Sequence, residues 1–401
     1  MRILVIHNHY GNFKTEGEAQ VAKAEGELLS SRGHSVSRYS ATNAELEELT
    51  LIDKCQSLLR VGWSQEGYER IKAAIEEFRP DLMHVHNYWF RLSPSIFAAA
   101  KEQGVATVLT LHNYRLACPA ATFQRKGKAC ELCMDGRGSR ILVHNCYPDG
   151  NWLKSVLAYR LYRETQKRQF LAALVDAYIA LTEFARRKAI EGGLPAEKVH
   201  VKANFMFDPL QGRPATTPGM GAIYVGRLSP EKGVMGLLEA WRGIDYPLTI
   251  VGDGPQMAEA RRAAGSKVTF LGNRSHEEVL RLIEKSAFLV FPSEWYEGFP
   301  LTVLESMAMG RAVLATDLGA RREMVRDGQT GLLYRSGDVR DLAEKVRRLI
   351  ADHSLCAEMG AAGREEYLAR CTPETNYRTL MHIYEQVLSS KSRPAPEFVM
   401  T

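Results

Sequence analysis

Two carboxylates, Glu297 and Glu305, flank seven residues in the stretch YEGFPLTVLE at 296–305. The first follows an aromatic residue and precedes Gly298, so it belongs to a tight turn. The second falls within LTVLESMAMG, where Leu301, Leu304, Ala308 and Met309 recur at helical spacing. Pro300 suits the first position of that helix, where a missing N–H costs nothing. The free amides of a helix start can meet a phosphate or a sugar beside it. A helix carboxylate such as Glu305 can accept both hydroxyls of a ribose, as acidic residues do in dinucleotide folds, and Glu297 can accept hydroxyls of a second sugar. Taken singly, each is equally an ordinary turn or helix-surface residue.

Cations stand at a comparable junction. VGRLSPEKG at 225–233 places Arg227 at the end of a strand and Lys232 at the start of the next helix. Unpaired N–H groups and the positive end of the helix dipole attract phosphate there. Arg227 adds bidentate pairing suited to a diphosphate. VGDGP at 251–255 is a glycine-rich turn of a common kind.

The elements that must hold these residues alternate between short apolar runs and amphipathic helical stretches. That is the pattern of parallel sheets covered by helices. RILVIHN, HSVSRYS, LMHVHN, ATVLTLHN, AYIALT and KVHVKAN read as strands of the first half, and AIYVGRL, LTIVGDG, VTFLG, AFLVFPS and AVLATDLG as strands of the second. GEAQVAKAEGELLSSRG is apolar every three or four residues and closes on Gly33 as a C-cap. The Pro/Gly/Thr-rich QGRPATTPGMG separates the two series. The reading is α/β, two doubly wound Rossmann-like domains, with ligands beyond the carboxyl ends of the strands. Those ends carry His7, Asn8, His84, His86, His112, Arg227, Gly252, Glu294 and Glu297.

A chain of 401 residues exceeds one ordinary domain, and 45% hydrophobic with 25% charged residues marks a globular protein. No apolar run is long enough to span a bilayer. MRILVIHNHY reads as a buried first strand, not a signal peptide, so the chain is expected in the cytoplasm. Residues 1–205 hold 28 Lys and Arg against 22 Asp and Glu, a basic excess too diffuse for nucleic acid.

The pieces together resemble the retaining glycosyltransferases of family 4, which have the GT-B fold of two Rossmann-like domains facing a central cleft. GRLSPEKG, VGDGP, FPSEWYEGFPLTVLESMAMGRAVLATDLGA and REMVRDGQTGLLY follow that family's C-terminal signature in order and spacing. PDLMHVHNYWF, TLHNY and AYIALTEFARRKAIEGGLPAEKVHVKANF extend the resemblance over the N-terminal half. It implies an acceptor-side domain at 1–207 with an insert at 115–168, a linker at 208–220, a donor-nucleotide domain at 221–372, and a C-terminal helix and tail at 373–401 packing back on the first domain.

The resemblance also implies roles. Arg227 and Lys232 bind the donor diphosphate, Glu305 the ribose and Glu297 the donor sugar, with Gly298, Phe299 and Leu301 in the same donor loop. His112 lines the sugar pocket, and Gly17 belongs to a glycine loop, where the family's second glycine is here Glu16. Asn273 and Arg274 fall where the family contacts the base. The implied reaction moves a sugar from a nucleoside-diphosphate sugar to a hydroxyl of a polysaccharide intermediate or glycolipid, with retention. The leaving diphosphate takes the acceptor proton, and no catalytic cofactor is required. The second half carries no D-x-D-type metal motif. A GT-B sugar-nucleotide epimerase acting without acceptor is the alternative reading, and a non-catalytic binding protein is a third.

The insert raises two further expectations. Residues 115–168 hold 11 Lys and Arg against 4 Asp and Glu. WLKSVLAYRLYRETQKRQFLAAL alternates apolar and cationic positions at helical spacing. Such a helix either lies on an anionic membrane, at the inner face, or simply solvates a basic face. Cys118, Cys130, Cys133 and Cys146 suit a structural zinc in a reducing compartment, with His112 and His144 as substitute ligands. Reduced thiols or a redox pair are the other readings.

Overall fold

The computed structural model describes residues 1–10, 17–43, 62–89, 91–134, 136–147, 150–167 and 170–391. Its strands in the first half are β1 (Arg2–His9), β2 (Ser35–Thr42), β3 (Leu82–Asn87), β4 (Ala106–Leu111), the hairpin β5 (Gln124–Arg125) and β6 (Lys128–Ala129), β7 (Ala177–Ala180) and β8 (Val199–Val201). The second half adds β9 (Ala222–Val225), β10 (Leu248–Val251), β11 (Val268–Gly272), β12 (Phe288–Phe291), β13 (Ala312–Thr316) and β14 (Gly331–Tyr334). All strands expected from the sequence form; β14 and the β5–β6 hairpin are additional.

The chain divides into two compact units. One comprises 1–121, 132–202 and 376–401; the other comprises 122–131 and 203–375. The first holds a sheet of order β2-β1-β3-β4-β7-β8, with every neighbouring pair parallel. The helix Gly17–Ser31 crosses from β1 to β2 and ends on Gly33 at φ 83°, a left-handed turn that glycine adopts without strain. The last helix, Pro373–Lys391, belongs to this unit's core. Its stripe of Leu380, Ile383, Tyr384 and Val387 packs with Ile3, Val5, Leu82, Val108 and Ile179 from the sheet.

The second unit holds a sheet of order β11-β10-β9-β12-β13-β14, again parallel throughout. Alternate residues of its strands serve two separate cores. Tyr224, Ile250, Phe288, Val290 and Leu314 point to one, and Ile223, Val251, Leu289, Phe291 and Val313 to the other. Burial on both faces explains why these strands read as unbroken apolar runs. The segment 122–131, which is part of the sequence insert, is built into this unit. Phe123 meets the ring of Tyr296 edge-on at 5.7 Å, and the Tyr296 hydroxyl donates to Glu131 at 2.8 Å.

Candidate active site

In the second unit, three loops at the carboxyl ends of the strands close on one another. The loop after β9 runs against the turn after β10. A Cβ on Gly252 (φ 128°) would meet the Gly226 carbonyl oxygen at 2.0 Å, and one on Gly254 would meet the Leu228 carbonyl oxygen at 2.3 Å. The glycines of VGDGP are there because backbone must approach backbone. Arg227 sits exposed on this loop, whose carbonyl is held by the Tyr224 hydroxyl at 2.8 Å.

Lys232 lies in the short 3-10 turn Pro230–Lys232, ahead of the helix Val234–Trp241. Gly233 joins the two at φ 69°, and a side chain there would strike the Pro292 carbonyl oxygen at 2.1 Å. That close passage lets the Glu294 amide donate to the Glu231 carbonyl at 2.9 Å, which joins the Lys232 turn to the loop carrying Glu297. Lys232 Nζ then donates to Glu297 Oε1 at 2.7 Å, with the two side chains 21% and 13% exposed. The same oxygen accepts from the Ser293 hydroxyl at 2.8 Å and Trp295 Nε1 at 2.6 Å. Burial alone would raise the Glu297 carboxyl. Lys232, Arg321 and Trp295 outweigh that and hold it below the usual carboxylate range. Arg321, fully buried, donates to the Ser293 and Trp295 carbonyls at 3.0 Å each and so pins the turn.

Glu305 stands in the opposite condition. The helix begins at Leu301 with Pro300 as its N-cap, one place earlier than the sequence suggested for the proline. Glu305 is buried within that helix and is no surface residue. Its Oε1 lies 3.4 Å from His276 Nδ1, and burial pushes its carboxyl up to about 7. Gly298, Phe299 and Leu301 are half-buried beside it, the last two packed on the core. Asn273 and Arg274 are exposed just before the helix that begins with His276.

The first unit carries the other set. Five of the eleven histidines, His7, His9, His84, His86 and His112, come from β1, β3 and the end of β4. His112 is half-buried; its Nε2 lies 2.9 Å from His86 Nδ1. Burial, then His86 and His7, hold the His112 imidazole well below its ordinary range, so it is neutral at physiological pH. Beneath these rings, Glu25 is 1% exposed and Lys202 2% exposed, with Nζ 2.6 Å from Glu25 Oε2. Glu25 Oε1 lies 3.1 Å from His84 Nδ1 and 3.4 Å from His86 Nε2. Burial would raise the Glu25 carboxyl, yet Lys202 and the two imidazoles hold it well below its usual range.

Among the described residues, Glu25, His84 and His86 form a group with metal-ligand spacing. Its donor set is already engaged. Lys202 supplies the cation, and His84 spends Nδ1 on the Tyr384 hydroxyl and Nε2 on Thr110 Oγ1, both at 2.7 Å. Glu25, Lys202, His276, Ser293 and Trp295 were not singled out by sequence reasoning. For Glu25 a signal exists: it sits on the apolar stripe of Val21, Ala22, Leu28 and Leu29, where a charge needs a partner.

Gly17 is the exposed first residue of the helix Gly17–Ser31, and the rest of its expected loop, with Glu16, lies outside the described residues. Of the insert cysteines, Cys118, Cys133 and Cys146 fall in the first unit and Cys130 in the second. Cys118 is buried and the other three are half-buried. The basic helix forms over Trp152–Lys167, but its apolar stripe is spent within the fold, with Leu157, Ala158, Leu161 and Tyr162 buried. What it presents outward is its first turn, with Trp152 60% and Leu153 51% exposed, and Val143 of the preceding helix is 80% exposed. Arg168 lies outside the described residues.

The fold and site define a class. The sequence model described as glycosyl transferases group 1 matches residues 220–366, and the one described as glycosyl transferase 4-like domain matches residues 17–204. The chain belongs to family 4 of the glycosyltransferases and has their GT-B fold of two Rossmann-like domains. It is similar to the alpha-D-kanosaminyltransferase of Streptomyces kanamyceticus, 33% identical over 211 residues that are 46% of this chain and 53% of that one. Matches to the first curated relatives span about half their length, 42% and 53%. Among solved structures, sucrose-phosphate synthase from Thermosynechococcus elongatus superposes with a TM-score of 0.69 at 19% identity, over 97% of this chain and 99% of that chain. HepE of Anabaena in complex with UDP-glucose gives 0.66 at 18% identity, over 96% of this chain and 100% of that chain.

Proposed function

We propose that the protein is a retaining hexosyltransferase that moves a sugar from a nucleoside-diphosphate sugar to a hydroxyl of a polysaccharide intermediate or a glycolipid. The observation that carries this reading is the contrast within one set of loops. Lys232 is held by an ionised Glu297, whereas Glu305 is a buried carboxylate with His276 alongside. The first pair suits a diphosphate and the sugar attached to it, and Glu305 suits a ribose diol. UDP-glucose in HepE, a protein of the same fold, supports a nucleotide-sugar as donor.

In this reading Arg227 and Lys232 neutralise the leaving diphosphate, which is where charge develops in the transition state. Glu297 orients both Lys232 and the donor sugar; in the first unit, His112 contacts a sugar. The acceptor proton passes to the leaving diphosphate on the same face, so the chain itself supplies positioning and charge. Incubation with a panel of nucleotide-sugars, with and without membrane extract, tests the assignment. Proton NMR of the product reads the anomeric configuration. Sugar release or transfer only with extract supports transfer, and inversion at the anomeric carbon overturns the retaining mechanism.

Two finer readings are part of the proposal. The exposed Trp152, Leu153 and Val143 beside a basic helix suit the interface of an anionic membrane, the place where a glycolipid acceptor resides. Among the described residues, no helix is long and apolar enough to cross a membrane. Cys118, Cys130, Cys133 and Cys146 offer four sulfur donors of the kind that holds a structural zinc. One zinc per chain in protein purified without chelator, lost in Cys130→Ser with Cys133→Ser, is the expected result.

A further inference from the structure

We infer that Glu25, Lys202 and His86 are positioning residues that lock His112 in one tautomer, with the proton on Nε2 and the lone pair on Nδ1 left to accept a hydroxyl of a bound sugar. This rests on the transferase reading above for its catalytic consequence, but the tautomer itself is a property of the ligand-free chain.

The argument runs outward from the interior. Glu25 and Lys202 are almost wholly removed from water and lie 2.6 Å apart, an ion pair whose desolvation is offset only by close contact and further partners. An ionised carboxylate accepts hydrogen bonds and donates none. His86 Nε2 faces Glu25 Oε1 at 3.4 Å, a charge contact longer than a well-formed hydrogen bond. A lone pair there would oppose the carboxylate's own lone pairs, so His86 Nε2 carries the proton. Lys202 at 2.6 Å already balances the single charge of Glu25, so a second cation on the His86 ring would lie buried without a counterion; the ring with Nε2–H therefore keeps its lone pair on Nδ1. That atom is 2.9 Å from His112 Nε2, a separation two ring nitrogens reach only with one proton between them. His112 therefore donates from Nε2, and its remaining nitrogen, Nδ1, is an acceptor.

His84 stiffens the arrangement. It contacts Glu25 at 3.1 Å, Tyr384 at 2.7 Å and Thr110 at 2.7 Å, and so ties the carboxylate to β4 and to the C-terminal helix. Lys202 immediately follows β8, and its backbone N–H donates to the Ala180 carbonyl at 2.9 Å. The cation is thereby anchored at the end of the same sheet. Second contacts of this kind fix ring orientation and tautomer at other functional histidines. The consequence for specificity is a site that reads a hydroxyl as a donor. A sugar lacking that hydroxyl, or bearing a fluorine in its place, loses the contact.

The test is nitrogen NMR of protein labelled in histidine, at about pH 7 without ligand, on wild type, His86→Gln and the doubly neutralised Glu25→Gln with Lys202→Met. The double variant is used because neither residue alone can lose its partner without burying an unpaired charge. The expected wild-type spectrum has His112 neutral with a protonated Nε2. In both variants the two His112 nitrogens move toward a mixture of tautomers. With the accepted nucleotide-sugar, kcat then falls about 10- to 100-fold, the scale seen for outer-shell partners of metal-bound histidines, while KM changes little. A wild-type His112 protonated on Nδ1 overturns the proposal, and so does His86→Gln that lowers Tm yet leaves the His112 tautomer untouched. Absence of transfer with every donor would overturn the transferase reading alone, because the spectra decide the tautomer without turnover.

Discussion

The molecule contains two lysine–glutamate pairs of nearly equal length in opposite surroundings. Lys202 and Glu25 meet at 2.6 Å with both side chains about fully buried. Lys232 and Glu297 meet at 2.7 Å with 21% and 13% of their side chains exposed. In the buried pair the carboxylate is also met by His84 and His86, and the lysine side chain is only 2% exposed, out of reach of a ligand in solvent. The half-open pair leaves about a fifth of its lysine side chain exposed, and Arg227, on the same loop, is exposed as well. Nearly equal distances therefore go with different surroundings: the first pair is part of the interior, and the second sits in the partly open turn proposed above for the diphosphate.

The sharpest way to break this comparison is to remove each lysine. Lys202→Met leaves Glu25 charged and buried without its counterion, at a cost of about 3–5 kcal/mol. Urea unfolding of that variant should show a midpoint far below wild type. Restoring neutrality with Glu25→Gln should recover much of the loss. A Lys202→Met protein as stable as wild type would mean that the pair contributes nothing to the interior.

Glu305 supplies the next largest effect because it is a carboxylate with no lysine of this kind. Its carboxyl is raised from 4.5 to about 7 by burial. The folded state therefore holds a proton that the unfolded chain has already released. Stability conferred by the protonated form is complete below about pH 4.5 and is lost as pH rises through about 7, a total on the order of 3 kcal/mol. Glu305→Gln should abolish that slope, making the variant more stable than wild type at about pH 8 and no more stable at about pH 4. Binding of a nucleoside diphosphate should run the other way, strengthening as pH rises through about 7 and the carboxylate becomes able to accept a ribose diol. Calorimetry across that range checks both signs.

Much of this was legible from residues alone, and the limits are physical. The strands read clearly because a doubly wound sheet buries both faces, and the loops after β9, β10 and β12 read clearly because glycine, proline and charge occur there at fixed offsets. β14, GLLY, has no β-branched residue and no alternation to mark it as a strand. The β5–β6 hairpin has two residues per strand and so shows no alternation. The Glu25–Lys202 pair joins residues 177 positions apart, a separation that no local period encodes. The basic helix reads from its sequence either as lying on a membrane or as solvating a basic face, and the structure shows its stripe of Leu157, Ala158 and Leu161 buried within the first unit. Periodicity locates an apolar face but does not say what covers it.

For the half-open pair the expected effect is on turnover, not folding. Lys232→Ala removes one charged hydrogen bond, worth roughly 1.5–3 kcal/mol, so kcat/KM should fall about ten- to a hundredfold while Tm stays near wild type. Glu297→Ala should impair the sugar-bearing donor and spare free nucleoside diphosphate, whereas Glu305→Ala should weaken both. Calorimetry with the two ligands separates the roles, and identical losses in the two variants would dissolve the distinction between turn and helix carboxylates.

The smallest effect concerns a third kind of cation, on the outside of the first unit. Lys154 and Arg163 are exposed and Arg160 half-exposed on the helix Trp152–Lys167, near Trp152 and Leu153. A basic residue close to an anionic bilayer contributes about 1 kcal/mol, screened by salt, and an aromatic ring at the headgroup level adds a term that salt does not weaken. Replacing Lys154, Arg160 and Arg163 by Gln should reduce binding to phosphatidylserine vesicles at low salt, with little effect on neutral vesicles. Replacing Trp152 and Leu153 by Ser should weaken binding at low and at high salt alike. Because the buried stripe of this helix is untouched by either set, both variants should keep the wild-type Tm. The two signatures separate insertion of the helix tip from simple attraction of a basic surface, and wild-type protein that ignores anionic vesicles at low salt would assign these cations to solvation alone.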